Sequence, residues 1–150
     1  MDLALVTGRG PPLLTHIDGP PPLVRDQDVI AVGARDATER DRAGAQDIRA
    51  TSIALFELDV IRRRGIEAVA AEAVAILTSS ELAGFWLHLD ADVLDDDVMP
   101  AVDYRQPGGM SPWELTTLLR RAGETGSLAG CSVAIYNPSL DPTVRLHVRS

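Results

Sequence analysis

Three apolar runs set the strongest limit on what this chain can fold into. They are Asp28-Val-Ile-Ala-Val-Gly33, Leu82-Ala-Gly-Phe-Trp-Leu-His-Leu-Asp90 and Cys131-Ser-Val-Ala-Ile-Tyr136. The first is continuous rather than alternating, which suits a parallel strand covered on both faces; the second reads as the strongest strand and the third as a last strand. Helical patterns lie between them. Over residues 66–78, Ile66, Val69, Ala70, Ala73 and Leu77 fall on one stripe, with Glu67 and Glu72 off it. Just before it, Arg62-Arg-Arg64 and Gly65 read as a helix end, cations suiting the negative dipole end and Gly the left-handed stop. Ser111-Pro112-Trp113-Glu114 reads as a capping box with Pro at the first helical position, and Leu115, Leu118, Leu119 and Ala122 as the buried stripe of that helix. Strand, helix, strand, helix, strand is the order of an α/β fold with a parallel sheet and helices on its faces. Such sheets bind ligands at the carboxyl ends of their strands, which directs attention to Asp90.

The remaining segments carry less. Leu3-Ala-Leu-Val6 reads as a short strand, and residues 11–22, with five of the ten prolines, as an irregular loop. Residues 34–50 read as a solvated connection, and 52–58 fit strand or helix equally. The length of 150 residues allows one domain. Fourteen basic residues, all Arg, face 22 acidic ones for a net charge of −8, a poor match for nucleic acid or anionic lipid. There is no membrane-length apolar run and no signal-peptide pattern, so a cytoplasmic location is expected. With one cysteine, the chain forms no internal disulfide. Cys131 reads as a small core residue on a buried strand rather than a nucleophile.

His88, Asp90 and Asp92 alternate with apolar residues, so an extended strand would set all three on one side. Six acids lie between Asp90 and Asp103, with Arg105 the nearby base. Crowded carboxylates repel, and a divalent cation relieves the repulsion. Oxygen ligands suit Mg or Mn, and an imidazole would shift the preference towards Mn, Fe or Zn. A solvated turn with capping residues is the plainer reading of the same loop, and a hydrogen-bonded wall residue is the plainer reading of His88. An EF-hand is excluded, because its fifth and sixth loop positions fall on Leu94 and Asp95. An Asp-nucleophile phosphotransferase lacks the usual Lys, although Arg120 or Arg121 could substitute. A nucleotide-sugar enzyme holding a metal on Asp90 and Asp92 stays open.

A resemblance narrows these alternatives. Trp86-Leu-His-Leu-Asp-Ala-Asp-Val-Leu-Asp95, Met99-Pro100-Ala-Val-Asp103 and Pro107-Gly-Gly-Met-Ser111 resemble the ureohydrolase family of arginases and agmatinases. Leu3-Ala-Leu-Val-Thr-Gly-Arg-Gly10 and Asn137-Pro138-Ser-Leu-Asp141 are similar to further segments of that family in the same order. The resemblance implies a three-layer α/β fold, a parallel sheet with helices on both faces. It also implies two manganese ions, and hydrolysis of a guanidino or related linear amidine C–N bond by a metal-bound hydroxide. It makes Asp90 and Asp92 metal ligands. Asp95 matches a structural acid, and His88 matches a position that faces the site without being a standard ligand.

The family's earlier ligand motifs, Gly-Gly-Asp-His and Asp-Ala-His-x-Asp, are absent from these 150 residues. Besides His88-Leu-Asp90, His16-Ile-Asp18 is the one other His-x-Asp; it lacks the preceding Asp and lies in the proline-rich loop. The chain therefore resembles the C-terminal half of such an enzyme, a single partial domain over 1–150. Weak or absent manganese binding and little or no hydrolase activity are expected of it alone. A second reading is a non-catalytic fragment or subunit acting by association, as a homo-oligomer or with an N-terminal half. The guanidinium-binding Glu of the family matches Ile135, so the substrate is left open.

Overall fold

The computed structural model describes residues 2–35, 46–79 and 82–141, which fall into two compact units, residues 1–56 and residues 57–150. The first contains helices α1 (Asp2–Val6) and α2 (Pro12–Thr15) and strands β1 (Ile30–Ala34) and β2 (Ala54–Glu57). β1 and β2 are hydrogen-bonded neighbours. Leu3–Val6 is thus helical, not a strand, with Leu3 O accepting from the Thr7 amide at 3.1 Å. Four apolar residues without alternation do not distinguish the two states. The proline-rich stretch is not wholly irregular either: Pro12 opens α2, where its missing N–H costs nothing. Residues 52–58 resolve into β2 followed directly by a helix. Arg9 grips Asp26 through both guanidinium nitrogens and holds that carboxyl below its ordinary range. The central part of the 34–50 connection, residues 36–45, lies outside the described residues.

The second unit carries α3 (Leu58–Arg64), α4 (Ile66–Ser79), β3 (Phe85–Asp90), α5 (Pro112–Gly123) and β4 (Leu128–Ala134). α3 stops at Gly65 as expected, but with φ 82° and ψ 147°, a positive-φ conformation open to glycine that lies outside the left-handed helical region. Ile66, Val69, Ala70 and Ala73 of α4 are buried as their spacing predicts, together with Leu58 and Ile61 of α3. Arg121 on α5 reaches Glu67 on α4 with two hydrogen bonds.

α5 begins with the anticipated capping box: Glu114 N donates to Ser111 Oγ, and Ser111 N donates to Glu114 Oε2. Its buried residues are Glu114, Thr117 and Ala122; Leu115, Leu118 and Leu119 are only half-buried. The buried stripe is therefore rotated from the apolar one. At the start of α5, the Arg62 guanidinium binds both Glu114 Oε1 and the Gly109 carbonyl, which lets the charged Glu114 side chain be buried.

β3 and β4 pair in parallel, with Trp86 opposite Gly130, His88 opposite Ser132 and Asp90 opposite Ala134. β3 starts at Phe85 rather than Leu82. A side chain at Gly84 would lie 2.5 Å from the Ser127 carbonyl that receives the Phe85 amide. Along β3, Phe85, Leu87 and Leu89 are half-buried, while Trp86, His88 and Asp90 are exposed. Cys131 is exposed, contrary to its reading as a core residue. β4 pairs with β3 alone among the described strands, and Cys131 and Val133 on one of its faces are exposed.

Candidate metal centre

The carboxyl end of β3 brings His88 and Asp90 into contact, with Asp92 in the turn that follows; among the described residues these three do not form a cluster of mutually close ligand atoms. The two-residue pleat puts His88 and Asp90 on one side, with His88 Nε2 3.2 Å from Asp90 Oδ1. The chain then tightens into a 3-10 turn over Ala91–Val93. Asp92 lies on that turn, so it follows Asp90 but does not continue the strand's alternation. Asp90 and His88 are half-open to solvent, and Asp92 is partly buried. Accessible carboxylates fit a hard cation such as Mn or Mg. Two carboxylates do not by themselves complete a binuclear centre.

Asp95 is built differently. Its Oδ2 accepts from the amides of Gly108, at 2.7 Å, and Gly109, at 3.1 Å, and its Oδ1 accepts from the Asp97 amide at 3.1 Å. A short parallel bridge between Leu94 and Met110 runs beside it. Gly109 is confined there, since an added Cβ would lie 2.3 Å from the Leu94 carbonyl carbon. The Asp95 carboxylate thus joins the acidic loop to the Pro-Gly-Gly turn that leads into α5. Among the described residues, Asp95, Asp96 and Asp97 form a trio of carboxylates whose oxygens lie within 4.8 Å of one another. The backbone hydrogen bonds of Asp95 make this cluster part of the loop's architecture.

The end of β4 returns to the same loop. Asn137 Nδ2 donates to Asp103 Oδ1 at 2.7 Å, and the Asn137 amide donates to the Ala101 carbonyl at 2.8 Å. Tyr136 donates its hydroxyl to Asp141, a bond that pushes the phenol above its ordinary range. Ile135 stands between β4 and this contact with φ 69°, a conformation unfavourable for a β-branched residue. His16 caps α2 in the other unit, its Nδ1 3.0 Å from the Pro12 carbonyl.

Sequence reasoning passed over Ser132 and Trp86. Ser132 Oγ lies 2.8 Å from His88 Nδ1 and receives the Trp86 indole N–H at 3.1 Å. The signal for them was the small-residue alternation Gly130-x-Ser132-x-Ala134, which means nothing until the strand register is known.

The family model for the arginase family matches residues 15–149. An arginase from Brevibacillus brevis is 32% identical over 141 residues, covering 94% of this chain and 46% of that protein. The native structure of the Bacillus caldovelox arginase superimposes with a TM-score of 0.83 at 29% identity, covering 95% of this chain and 46% of that one. An arginase structure from Bacillus subtilis gives a TM-score of 0.82 at 28% identity, covering 95% and 48%. The chain spans about half the length of the curated relatives it matches.

Proposed function

Because the chain belongs to the arginase family, we propose that it is part of a manganese-dependent ureohydrolase. In this reading it contributes Asp90 and Asp92 as metal carboxylates to the hydrolysis of a C–N bond in a guanidino or related linear amidine compound. The observation that carries this reading is the placement of Asp90 at the carboxyl end of a parallel strand, with Asp92 in the turn that follows. When bound, manganese supplies an acidified water and stabilises negative charge that develops in hydrolysis. The chain's own residues divide the remaining work. Asp90 and Asp92 bind, His88 holds one Asp90 oxygen, and Asp95 keeps the following loop against the Gly108-Gly109 turn. Ile135 offers a cationic guanidinium or amidinium no charge, so the choice between them stays open in this reading.

Neither nucleic acid nor membrane enters this reading. No helix among the described residues is long and apolar enough to cross a membrane, and the reading places the protein in the cytoplasm. Manganese titration of the chain by calorimetry tests the ligand assignment. Weak saturable binding is expected, and it should be lost in the Asp90→Ala/Asp92→Ala double variant. Tight binding in the wild type would reveal further ligands, and binding that survives the double variant would remove both aspartates from the assignment.

Association is a second reading, favoured by exposed Trp86, Val133 and Leu128 on the β3–β4 pair. Apolar surface of this kind is ordinarily covered. In this reading its cover is the remainder of the arginase fold that the relatives carry beyond the matched length, or failing that a second copy. A clean monomer by size exclusion with light scattering would count against self-association.

A further inference from the structure

One face of the β3–β4 pair holds an ordered line of polar side chains whose proton positions follow from chemistry. The parallel register sets Trp86, His88 and Asp90 on β3 opposite Gly130, Ser132 and Ala134 on β4. Residues two apart on a strand share a face, so all six belong to one surface. The β4 members are small, and the larger β3 side chains lean across them. The Trp86 ring occupies the space over Gly130 so closely that an added Cβ would lie 2.3 Å from Trp86 Cζ3. That position carries the indole N–H to Ser132 Oγ, 3.1 Å away. Ser132 Oγ is in turn 2.8 Å from His88 Nδ1, and His88 Nε2 is 3.2 Å from Asp90 Oδ1.

The direction of the chain is determined at both ends. An indole nitrogen only donates, and an ionised carboxylate only accepts. In the neutral ring, Nε2 must therefore carry the hydrogen that faces Asp90. Nδ1 is left as an acceptor, and the Ser132 hydroxyl must donate to it. Ser132 in turn accepts from Trp86. Every donor and acceptor on the path has one consistent role, and such chains polarise along their length.

We propose that Trp86, Ser132 and His88 form a directional hydrogen-bond chain that orients the Asp90 carboxylate for a divalent cation, which makes Ser132 a positioning residue. Its role toward the cation rests on the ligand assignment above, whereas the chain of hydrogen bonds does not. Carboxylate and imidazole groups around metal sites are commonly aligned by outer hydrogen bonds of this kind. His88 occupies one oxygen of Asp90 and restrains rotation about the side-chain torsions. Ser132 restrains the imidazole, and Trp86 restrains the hydroxyl.

Two measurements on the intact chain test this. Nitrogen-15 NMR of the His88 ring, at a pH where the ring is neutral, should report hydrogen on Nε2. In Ser132→Ala, the Trp86 indole N–H should lose its acceptor, shift upfield and exchange faster with solvent. Hydrogen on Nδ1, or an indole signal unmoved by Ser132→Ala, would overturn the chain whatever manganese does. In the second measurement, free Mn(II) is followed by electron paramagnetic resonance. Ser132→Ala should weaken affinity roughly tenfold, and Ser132→Thr, which keeps the hydroxyl, should restore it. If the wild type binds, Asp90→Ala abolishes binding and Ser132→Ala matches the wild type, the positioning role fails while the ligand assignment stands. If the wild type does not bind, the positioning role toward the cation fails for this chain; if Asp90→Ala binds equally well, the ligand assignment fails and the role fails with it. The NMR result then decides the hydrogen-bond chain alone. Gly130→Ala, which forces the indole aside, should reproduce the loss of the Trp86 contact without touching any polar group. An indole signal that stays in place in Gly130→Ala would contradict the packing argument.

Discussion

Glu114 offers a sharp test of how the Pro-Gly-Gly turn and α5 are held together. Its carboxylate is almost fully buried, at 8% exposure, yet it is charged. Burial works against that charge. Hydrogen bonds from the Ser111 amide, Arg62 and the Ser111 hydroxyl outweigh burial and bring the carboxyl below its ordinary range. Replacing Glu114 by Gln keeps the volume and one acceptor oxygen but removes the charge. The capping box contributes about 1 kcal/mol. The bond to Arg62 adds about 1 kcal/mol, discounted because Arg62 is half-exposed and regains water when released. Partial loss of both gives an expected destabilisation of about 1–2 kcal/mol for Glu114→Gln, rising to about 2–3 kcal/mol for Glu114→Ala.

The pH dependence has a definite sign. The folded-state pKa lies below the unfolded one, so the stabilisation is complete at neutral pH. It fades as the pH falls below the ordinary glutamate range and is gone below the folded-state pKa. Urea unfolding followed by far-ultraviolet circular dichroism, at about pH 7 and about pH 3.5, reads this directly. The gap between wild type and Glu114→Gln should shrink on acidification. A gap below about 0.5 kcal/mol at neutral pH, or one unchanged by acid, would refute the assignment of a stabilising buried charge.

The remaining predictions concern the loop and its neighbours. Asp95→Ala removes the acceptor for three backbone amides, and should cost about 2–3 kcal/mol in the same urea assay. Gly109→Ala places a Cβ against the Leu94 backbone, and should cost about 3 kcal/mol or prevent folding, read as soluble yield and thermal midpoint. Asp141→Asn should return the Tyr136 phenol towards its ordinary range, read as an earlier rise of tyrosinate absorbance on alkaline titration. Ile135→Gly should be neutral or stabilising, against the usual cost of about 1 kcal/mol for glycine in regular structure, because the φ of 69° is one glycine adopts freely.

Local chemistry was enough for several elements. The α3 stop at Gly65, the α4 stripe and the Ser111–Glu114 capping box follow from residues within a few positions of one another, and such short-range interactions are written into the order of the chain. The same holds for His88 and Asp90, neighbours on one side of β3 because a strand has a period of two. The family resemblance was legible in the block from Trp86 to Ser111 for a related reason. Its acids and glycines hold one loop through contacts such as Asp95 to Gly108 and Gly109.

Other features were decided by contacts between segments far apart in sequence. Arg62, 52 residues from Glu114, partners the charged side chain that α5 buries in place of its leucines. The strand at Cys131 reads as a core strand wherever its face is covered by another layer, and among the described residues nothing covers Cys131. Ser132 acquired its place beside His88 from the register of β4 against β3, and a shift of one residue would have sent it to the opposite face. The sequence by itself determined α4, α5 and the apolar strands, which acids crowd the end of β3 and which family the chain resembles, but not the helical state of Leu3–Val6 or the split of residues 52–58. Tertiary structure alone decided which side chains were buried and which hydrogen-bonded to Asp90, because both depend on partners that the linear order does not place.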